Sequence, residues 1–408
     1  MTIRVVHIFA PNFKRRFGGP IFDWKYAFSR WNDPEIEHLV FDYDTKQLGK
    51  ANDVFDFHFP SSQESVSRIG RAAWTLYLTQ NLSRLASDYD MIHFHVLWWG
   101  SLIAAGWAKK HSIPTVYQSV LLDSDTPGNI RKERFGKIKV NLLKNFSCVL
   151  AISDFLAQDY LENGFKKEQV VTLMNSVDTS LFQPLSIDDE KTRLRQRFGL
   201  PINSTILIFV GSVIQRKGVD VLVEAFKKVS QNIPDVFLLL VGPHTKHENP
   251  SLDENWIVAL QNSLAEANLT SRTSFLGLVS DRQVLADLYR ASDLFVFPSR
   301  VEGLGNVILE AMASGLPVVV SDLPVFEGVI RHNENGVTVP VEDIPATAQA
   351  IMKLINSPIL AEEYGRKARE DAVQNFSFSS WQSRLVEVYQ RLITDKLSND
   401  GEILSRRK

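Results

Sequence analysis

The chain has 408 residues, 44% hydrophobic and 23% charged, with a net charge of −2. That length exceeds one ordinary core and points to two domains, and the near-balanced charge offers no basic footprint for nucleic acid. A single cysteine, Cys148, excludes an internal disulfide framework and a cysteine-based zinc site and suits a reducing compartment.

The chain opens on Ile3-Arg4-Val5-Val6-His7-Ile8-Phe9, which reads as a strand and lacks the pattern of a signal peptide. No apolar run approaches the roughly eighteen residues needed to span a bilayer, so a cytoplasmic protein is expected. Short apolar runs then alternate with helix-period segments, the signature of βαβ units and parallel sheets. In the first half, strands are expected near 3–9, 37–41, 91–95, 114–118, 148–152 and 170–173. In the second half they are expected near 205–211, 236–242, 273–276, 294–297, 317–321 and 336–339. The boundary falls where Phe182-Gln183-Pro184 gives way to Ser186-Ile187-Asp188-Asp189-Glu190, a helix start. The fold class is therefore α/β, with two doubly wound Rossmann-like domains, 1–185 and 186–376, facing each other across a cleft. A terminal helix at 377–395 is expected to pack back on the first domain, followed by a polar tail, 396–408.

Residues 296–322 carry the most chemistry. Glu302 and Glu310 flank a glycine-rich helix start between two apolar strands. A helix start presents unpaired N–H groups and partial positive charge, which favour an anion such as phosphate. Gly303 and Gly305 remove side chains that would hold a large anion off that backbone. Glu310 lies about 7 Å along the helix at about 1.5 Å per residue, a reach that suits a ribose if the helix start holds the attached diphosphate. Glu302, in the loop, is left to face whatever hangs from the other end. A second cluster, Arg216-Lys217-Gly218, follows the first strand of the second domain, and paired cations there suit a diphosphate. Taken singly, each feature also has a plain reading, as a dipole-favoured glutamate or an exposed basic turn.

Together the motifs resemble the retaining glycosyltransferases of family 4, the group 1 glycosyltransferases, which have the two-domain GT-B fold. The resemblance runs through nearly the whole chain. It rests on Phe-Gly-Gly-Pro (17–20), Ile-His-Phe-His (92–95), Asn-Ser-Val-Asp (175–178) with Phe182 and Pro184, and Val-Gly-Ser with Arg-Lys-Gly (210–218). Leu-Gly-Leu-Val-Ser-Asp (276–281) and the Glu-x7-Glu segment 302–310 complete it. The resemblance implies a sugar nucleotide in the second domain and an acceptor in the first. It implies that Arg216 and Lys217 hold the diphosphate, with Ser212 beside them. The backbone of Gly303, Leu304, Gly305 and Asn306 would cap it, with Val307 following. Glu310 would bind the ribose hydroxyls, Glu302 the donor sugar, and the backbone at Leu278 and Val279 would lie against the base. Gly18 and Gly19 would close over the diphosphate. No metal or cofactor is expected, because the cations do a divalent ion's work. The donor is expected to be a UDP-sugar, with a GDP-sugar as the alternative.

Two departures bear on the donor-sugar side. Where relatives often carry a histidine, the loop Tyr-Gln-Ser-Val-Leu-Leu-Asp (117–123) places Ser119, so either that role is dispensable here or His95 supplies it, the plain reading of His95 being a satisfied histidine at a strand end. Many relatives carry arginine at the position of Ser212, which shifts phosphate charge onto Arg216 and Lys217. On the acceptor side, Trp24, Trp31, Trp74, Trp98, Trp99 and Trp107 all lie in the first domain. Trp98 is the candidate sugar platform, with Ser119 and Asp123 nearby in the loops. Two basic stretches, Lys14-Arg15-Arg16 and a helix carrying Arg131, Lys132, Arg134, Lys137 and Lys139 between Phe135, Ile138 and Val140, suggest peripheral contact with an anionic membrane and a glycan or lipid-linked acceptor. The plain alternative is a solvated helix with its apolar side on the core. Neither domain's first strand is followed by Gly-x-Gly-x-x-Gly, which argues against a nicotinamide-dependent dehydrogenase. Another GT-B enzyme, such as an epimerase, and a catalytically silent sugar-nucleotide-binding protein are the rival readings.

Overall fold

A computed structural model describes residues 2–9, 24, 27–42, 47–51, 68–119, 126–185 and 188–406. They form two compact units, Met1–Met174 with Gln382–Lys408, and Asn175–Trp381.

The sheet of the first unit has the order β3-β2-β1-β4-β5-β6-β7. Its strands are β1 (Ile3–Ile8), β2 (Ile36–Asp42), β3 (Gln47–Lys50), β4 (Met91–Phe94), β5 (Thr115–Ser119), β6 (Cys148–Ala151) and β7 (Val170–Thr172). All neighbours are parallel except β2 and β3. Strand β3 was not expected, because Gln-Leu-Gly-Lys is too short and polar to signal a strand, and its pairing with β2 is what defines it. Helix α1 (Trp99–Lys110) follows β4, and the short helix α2 (Gly136–Leu143) precedes β6.

The sheet of the second unit has the order β10-β9-β8-β11-β12-β13 and is wholly parallel. Its strands are β8 (Thr205–Val210), β9 (Val236–Val241), β10 (Thr273–Gly277), β11 (Leu294–Phe297), β12 (Val318–Ser321) and β13 (Val337–Val339). Near-continuous apolar runs such as Ile206-Leu207-Ile208-Phe209 are what a parallel strand covered on both faces requires. Helices α3 (Val219–Asn232) and α4 (Asn306–Ala313) follow β8 and β11. The α/β class and the two doubly wound sheets match the sequence expectation.

The division between the units comes earlier than 185. Residues 175–184 are tied into the second unit, because the Arg369 guanidinium donates to the carbonyls of Thr179, Phe182 and Ala313. The Val177 N–H also donates to the Phe376 carbonyl at 2.8 Å. The last helix, α5 (Phe378–Arg406), runs past the expected 395 into the segment read as a tail. That segment has no proline, so the backbone bonding of the helix continues through it. Within the first unit, α5 buries Leu385, Val386, Val388, Tyr389 and Leu392.

Candidate active site

The order β10-β9-β8-β11-β12-β13 reverses direction between β8 and β11. At such a switch point open α/β sheets take ligands beyond the carboxyl ends of the two strands. The loop after β8 carries Arg216 and Lys217, and the loop after β11 carries Glu302 and the start of α4, so the sheet brings both expected clusters to one place.

Arg216 and Lys217 sit on a single 3₁₀ turn, Gln215–Lys217. Gly218 ends the turn at φ +70° and starts α3; a Cβ there would stand 1.8 Å from the Pro298 carbonyl oxygen. Only glycine lets this turn lie so close to the loop after β11. Lys217 Nζ donates to Glu302 Oε1 at 2.6 Å and lies 4.9 Å from the centre of the Phe297 ring. The same carboxylate oxygen accepts from Ser299 Oγ at 2.7 Å and Arg216 Nη1 at 3.4 Å. Burial pulls the pKa of Lys217 down, Glu302 pushes it back up, and Arg216 adds a smaller downward push. Glu302 is only 5% exposed, whereas the Arg216 side chain is 41% exposed. Arg216 is thus the cation open to solvent, and Lys217 the one held in place.

The start of α4 has the geometry that the glycines anticipate. Gly305 caps it at φ +77° and, having no side chain, makes no cap bond to the first N–H groups. Asn306 Oδ1 accepts from Asn175 Nδ2 at 2.6 Å, which gives the Asn-Ser-Val-Asp segment its role of fixing the helix start. Asp178 closes that segment by accepting from the N–H and hydroxyl of Ser180 and the N–H of Leu181. Leu304 is buried under the loop, and Gly303 and Glu302 are buried with it. Half-buried Ser212 lies just beyond β8.

Glu310 is buried, with Oε2 accepting from Tyr289 Oη at 3.2 Å and Oε1 lying 3.5 Å from Arg282 Nη2. Tyr289 Oη also lies 3.2 Å from the carbonyl oxygen of Val307. Burial and the neighbouring carboxylate push the Tyr289 phenol pKa well up, so it stays a donor. Arg282 and Tyr289 are two helical turns apart on Arg282–Ala291, a spacing that puts them on one face; sequence reasoning passed over them.

Glu248, in the loop after β9, was missed too. It accepts from the N–H groups of His244 (2.9 Å), Thr245 (3.2 Å) and Leu278 (2.7 Å), and from the Thr245 hydroxyl. Burial pushes its pKa up, but these hydrogen bonds outweigh that and hold it down to about 2. Glu248 therefore fixes the loop bearing Leu278, whose side chain is 54% exposed beside half-buried Val279.

The first-unit candidates fare differently. Gly18, Gly19, Asp123 and the Lys14-Arg15-Arg16 stretch lie outside the described residues. Ser119 ends β5 fully buried. Trp98 caps α1 and is half-buried, while the neighbouring Trp99 is the more exposed indole. His95 is 4% exposed and belongs to a buried histidine cluster rather than to an open site. An N–H···N bond of 2.8 Å joins His95 Nε2 to His7 Nδ1, and another of 2.7 Å joins His7 Nε2 to His38 Nδ1. His93 Nδ1 lies 2.7 Å from Tyr389 Oη. Among the described residues, His7, His93 and His95 are the group whose donor nitrogens lie close enough, within 4.8 Å of one another, to meet a metal ion. The His7–His95 contact itself needs only one proton shared between the two rings.

The expected basic helix is broken. Residues 131–135 form a turn, Phe135 sits at φ 63°, and α2 begins only at Gly136. A Cβ at Gly136 would meet the Ile130 carbonyl oxygen at 2.1 Å, so the chain bends where a straight helix was expected. Val140 is buried, whereas Phe135 and Ile138 are each 54% exposed.

Comparison with known proteins places this geometry. Residues 190–371 match the family model described as glycosyl transferases group 1, and residues 42–176 match a glycosyl transferase 4-like domain. A D-inositol 3-phosphate glycosyltransferase of Catenulispora acidiphila is 28% identical over 331 residues, covering 77% of this chain and 75% of that protein. The mannosylfructose-phosphate synthase of Agrobacterium fabrum is 30% identical over 306 residues, 73% of this chain and 62% of its own. Among solved structures, Anabaena HepE with UDP and glucose superposes with a TM-score of 0.72 at 21% identity, covering 96% of this chain and 100% of that one. The sucrose-phosphate synthase of Thermosynechococcus elongatus gives 0.70 at 21% identity, covering 97% and 100%. These likenesses make the fold GT-B.

Proposed function

The chain belongs to the group 1 glycosyltransferases, and from that premise we propose that it moves a sugar from a nucleoside diphosphate sugar to a glycan or lipid-linked acceptor, with retention at the anomeric carbon. The observation that carries this reading is the meeting of Arg216, Lys217 and Glu302 beside the glycine-capped start of α4 at the switch point of the second sheet. As the bond from the anomeric carbon to the diphosphate breaks, negative charge builds on the phosphate oxygens. Arg216, Lys217 and the helix start are already oriented toward such charge, so little reorganisation is needed at the moment of reaction. The acceptor hydroxyl attacks from the face the diphosphate leaves, and a phosphate oxygen takes its proton. In this reading the protein cations serve without a metal ion, and transfer rates stay unchanged in excess EDTA. Glu310 holds the ribose hydroxyls, with Tyr289 and Arg282 fixing its carboxylate. The loop that Glu248 pins lies against the base. HepE was crystallised with UDP and with UDP-glucose, which supports a UDP-sugar here before a GDP-sugar.

Thermal shift with UDP, GDP and ADP tests the donor assignment, since a ligand bound only to the folded protein raises its melting temperature. One diphosphate is expected to raise it, and Glu310→Ala to weaken that ligand's binding by about tenfold to a hundredfold, the scale of hydrogen bonds to a charged group. Binding without turnover on a panel of sugar nucleotides and acceptors would favour the silent binding protein.

Peripheral membrane contact is also part of the proposal, in keeping with a lipid-linked acceptor and a place at the inner face of the cell membrane. No helix among the described residues is long and apolar enough to cross a bilayer. Support comes from Trp99 and Ile103 on α1, and from Phe135 and Ile138 in the stretch carrying Arg131, Lys132, Arg134, Lys137 and Lys139, all four 40–54% exposed. Arg134 lies over the Phe135 ring and Lys139 over the Trp99 ring. Vesicles rich in anionic lipid are expected to co-sediment the protein at low salt and release it at high salt. Equal binding to neutral vesicles, or none to anionic ones, removes this part.

A further inference from the structure

Arg300, which no motif singled out, is bonded into the turn that carries Arg216 and Lys217. A single 3₁₀ turn has little stability of its own. Here the backbone carbonyls of Gln215 and Arg216 both accept from Arg300, the first from Nη1 and the second from the backbone N–H at 2.9 Å. All three nitrogens of the guanidinium are engaged, through four of its five N–H donors. Its two Nη atoms meet the two oxygens of Asp220 at 2.9 Å each, a planar fork on the first turn of α3. Its Nε donates to Glu342 Oε1 at 2.6 Å. Glu342 stands at φ 64°, a conformation unfavourable for a non-glycine residue that persists only where surrounding contacts impose it. Side-chain hydrogen bonds from Asp220 and then Glu342 push the Arg300 pKa up. The side chain is 21% exposed, and four of its five N–H donors hold the turn, the first turn of α3 and Glu342.

We propose that Arg300 is a positioning residue for diphosphate binding: it clamps the Gln215–Lys217 turn to the start of α3 and to the loop after β11, so that Arg216 and Lys217 meet the phosphates already in place. The proposal rests on the donor-site reading above. Arg300 does not touch the substrate; it acts through the turn. Lysine cannot replace it, because one ammonium cannot meet Asp220 as a fork and also reach Gln215 and Glu342.

The test compares Arg300→Met and Arg300→Lys with wild type in two measurements. The first needs no ligand: trypsin cleavage after Arg216 and Lys217 in the native protein, followed by mass spectrometry. Cleavage there is expected to be about tenfold faster in Arg300→Met, which corresponds to about 1.4 kcal/mol easier local opening, with global melting little changed. Unchanged cleavage overturns the clamp. The second is the affinity for the nucleoside diphosphate that wild type binds and for its monophosphate, with kcat and KM alongside. Both variants are expected to lose about tenfold in diphosphate affinity, the scale of one lost charge-assisted contact, with monophosphate affinity unchanged and kcat reduced. Equal loss for the two nucleotides, in step with a fall in melting temperature, reduces Arg300 to general stability and overturns the proposal. If wild type binds no nucleoside diphosphate, the donor-site reading fails, while the cleavage result still decides the clamp.

Discussion

Lys217→Ala is expected to lower kcat by about 10²- to 10³-fold, the range seen when one preorganised donor is removed from developing negative charge, while KM for the sugar nucleotide moves much less. The ammonium is nearly buried and fixed 2.6 Å from Glu302. Its position is thus set before any ligand arrives, and its charge acts in a partly dry place where electrostatic interactions are stronger. Arg216 is more exposed and can share ground-state binding, but it cannot occupy the place of Lys217 against Phe297. Loss of the lysine leaves Glu302 with Ser299 and Arg216 as partners, so the fold should persist and the loss should appear in kcat. Steady-state kinetics with a melting curve decides this. A kcat within about threefold of wild type would remove Lys217 from the leaving-group role, because that corresponds to less than 1 kcal/mol.

The second large effect concerns acid. Burial holds His7, His38, His93 and His95 below the ordinary histidine range, to about 3 for His38 and His95, and mutual repulsion adds to the effect on His7 and His93. At His95, a hydrogen bond with Gln118 opposes the burial effect. In the unfolded chain the same groups titrate near about 6.5. The fold accepts their neutral form, so the unfolded state binds more protons in the window between. Their contribution to stability is complete above about pH 6.5 and is lost as pH falls toward about 3, at up to about 1.4 kcal/mol per pH unit for each histidine. Four such groups can offset the stability of a typical domain within about two pH units. Urea unfolding followed by tryptophan fluorescence from pH 7.5 to 4.5 should show the first unit weakening steeply below pH 6. His38→Leu should flatten that slope by about one proton. Equal urea midpoints at pH 7.5 and 5 would mean that the cluster is hydrated and titrates normally.

Much of the second unit was legible in its residues. Strands buried on both faces read as unbroken apolar runs, and glycines before a helix mark where backbone N–H groups lie open, so β8, β11, α4 and the Glu302–Glu310 segment announced themselves. Residues whose importance comes from a distant partner were not legible. Arg300 looks like any surface arginine until Asp220, Glu342 and the Gln215 carbonyl stand around it. Glu248 looks like any loop glutamate until the Leu278 N–H meets it. His95 carried two readings because a histidine after a strand looks alike whether open or enclosed, and it is the neighbouring His7, His93, Phe9 and Trp24 rings that enclose it. The break before α2 was hidden because nothing local in Arg-Phe-Gly demands a left-handed phenylalanine; the close approach to Ile130 does.

By itself the amino-acid sequence determined the α/β class, the strands of both sheets apart from one short polar edge, and the identity of the charged groups expected to meet a sugar nucleotide. It could do so because periodicity, turn chemistry and helix-end electrostatics act over a few residues and leave their mark where they act. Tertiary structure alone decided which oxygen of Glu302 takes Lys217 and Ser299, what holds the cation turn still, and that four histidines share one dry interior. Those outcomes depend on segments brought together across the sheets, and the free energy of a charge or a buried imidazole is set by the groups around it in space rather than by its neighbours along the chain.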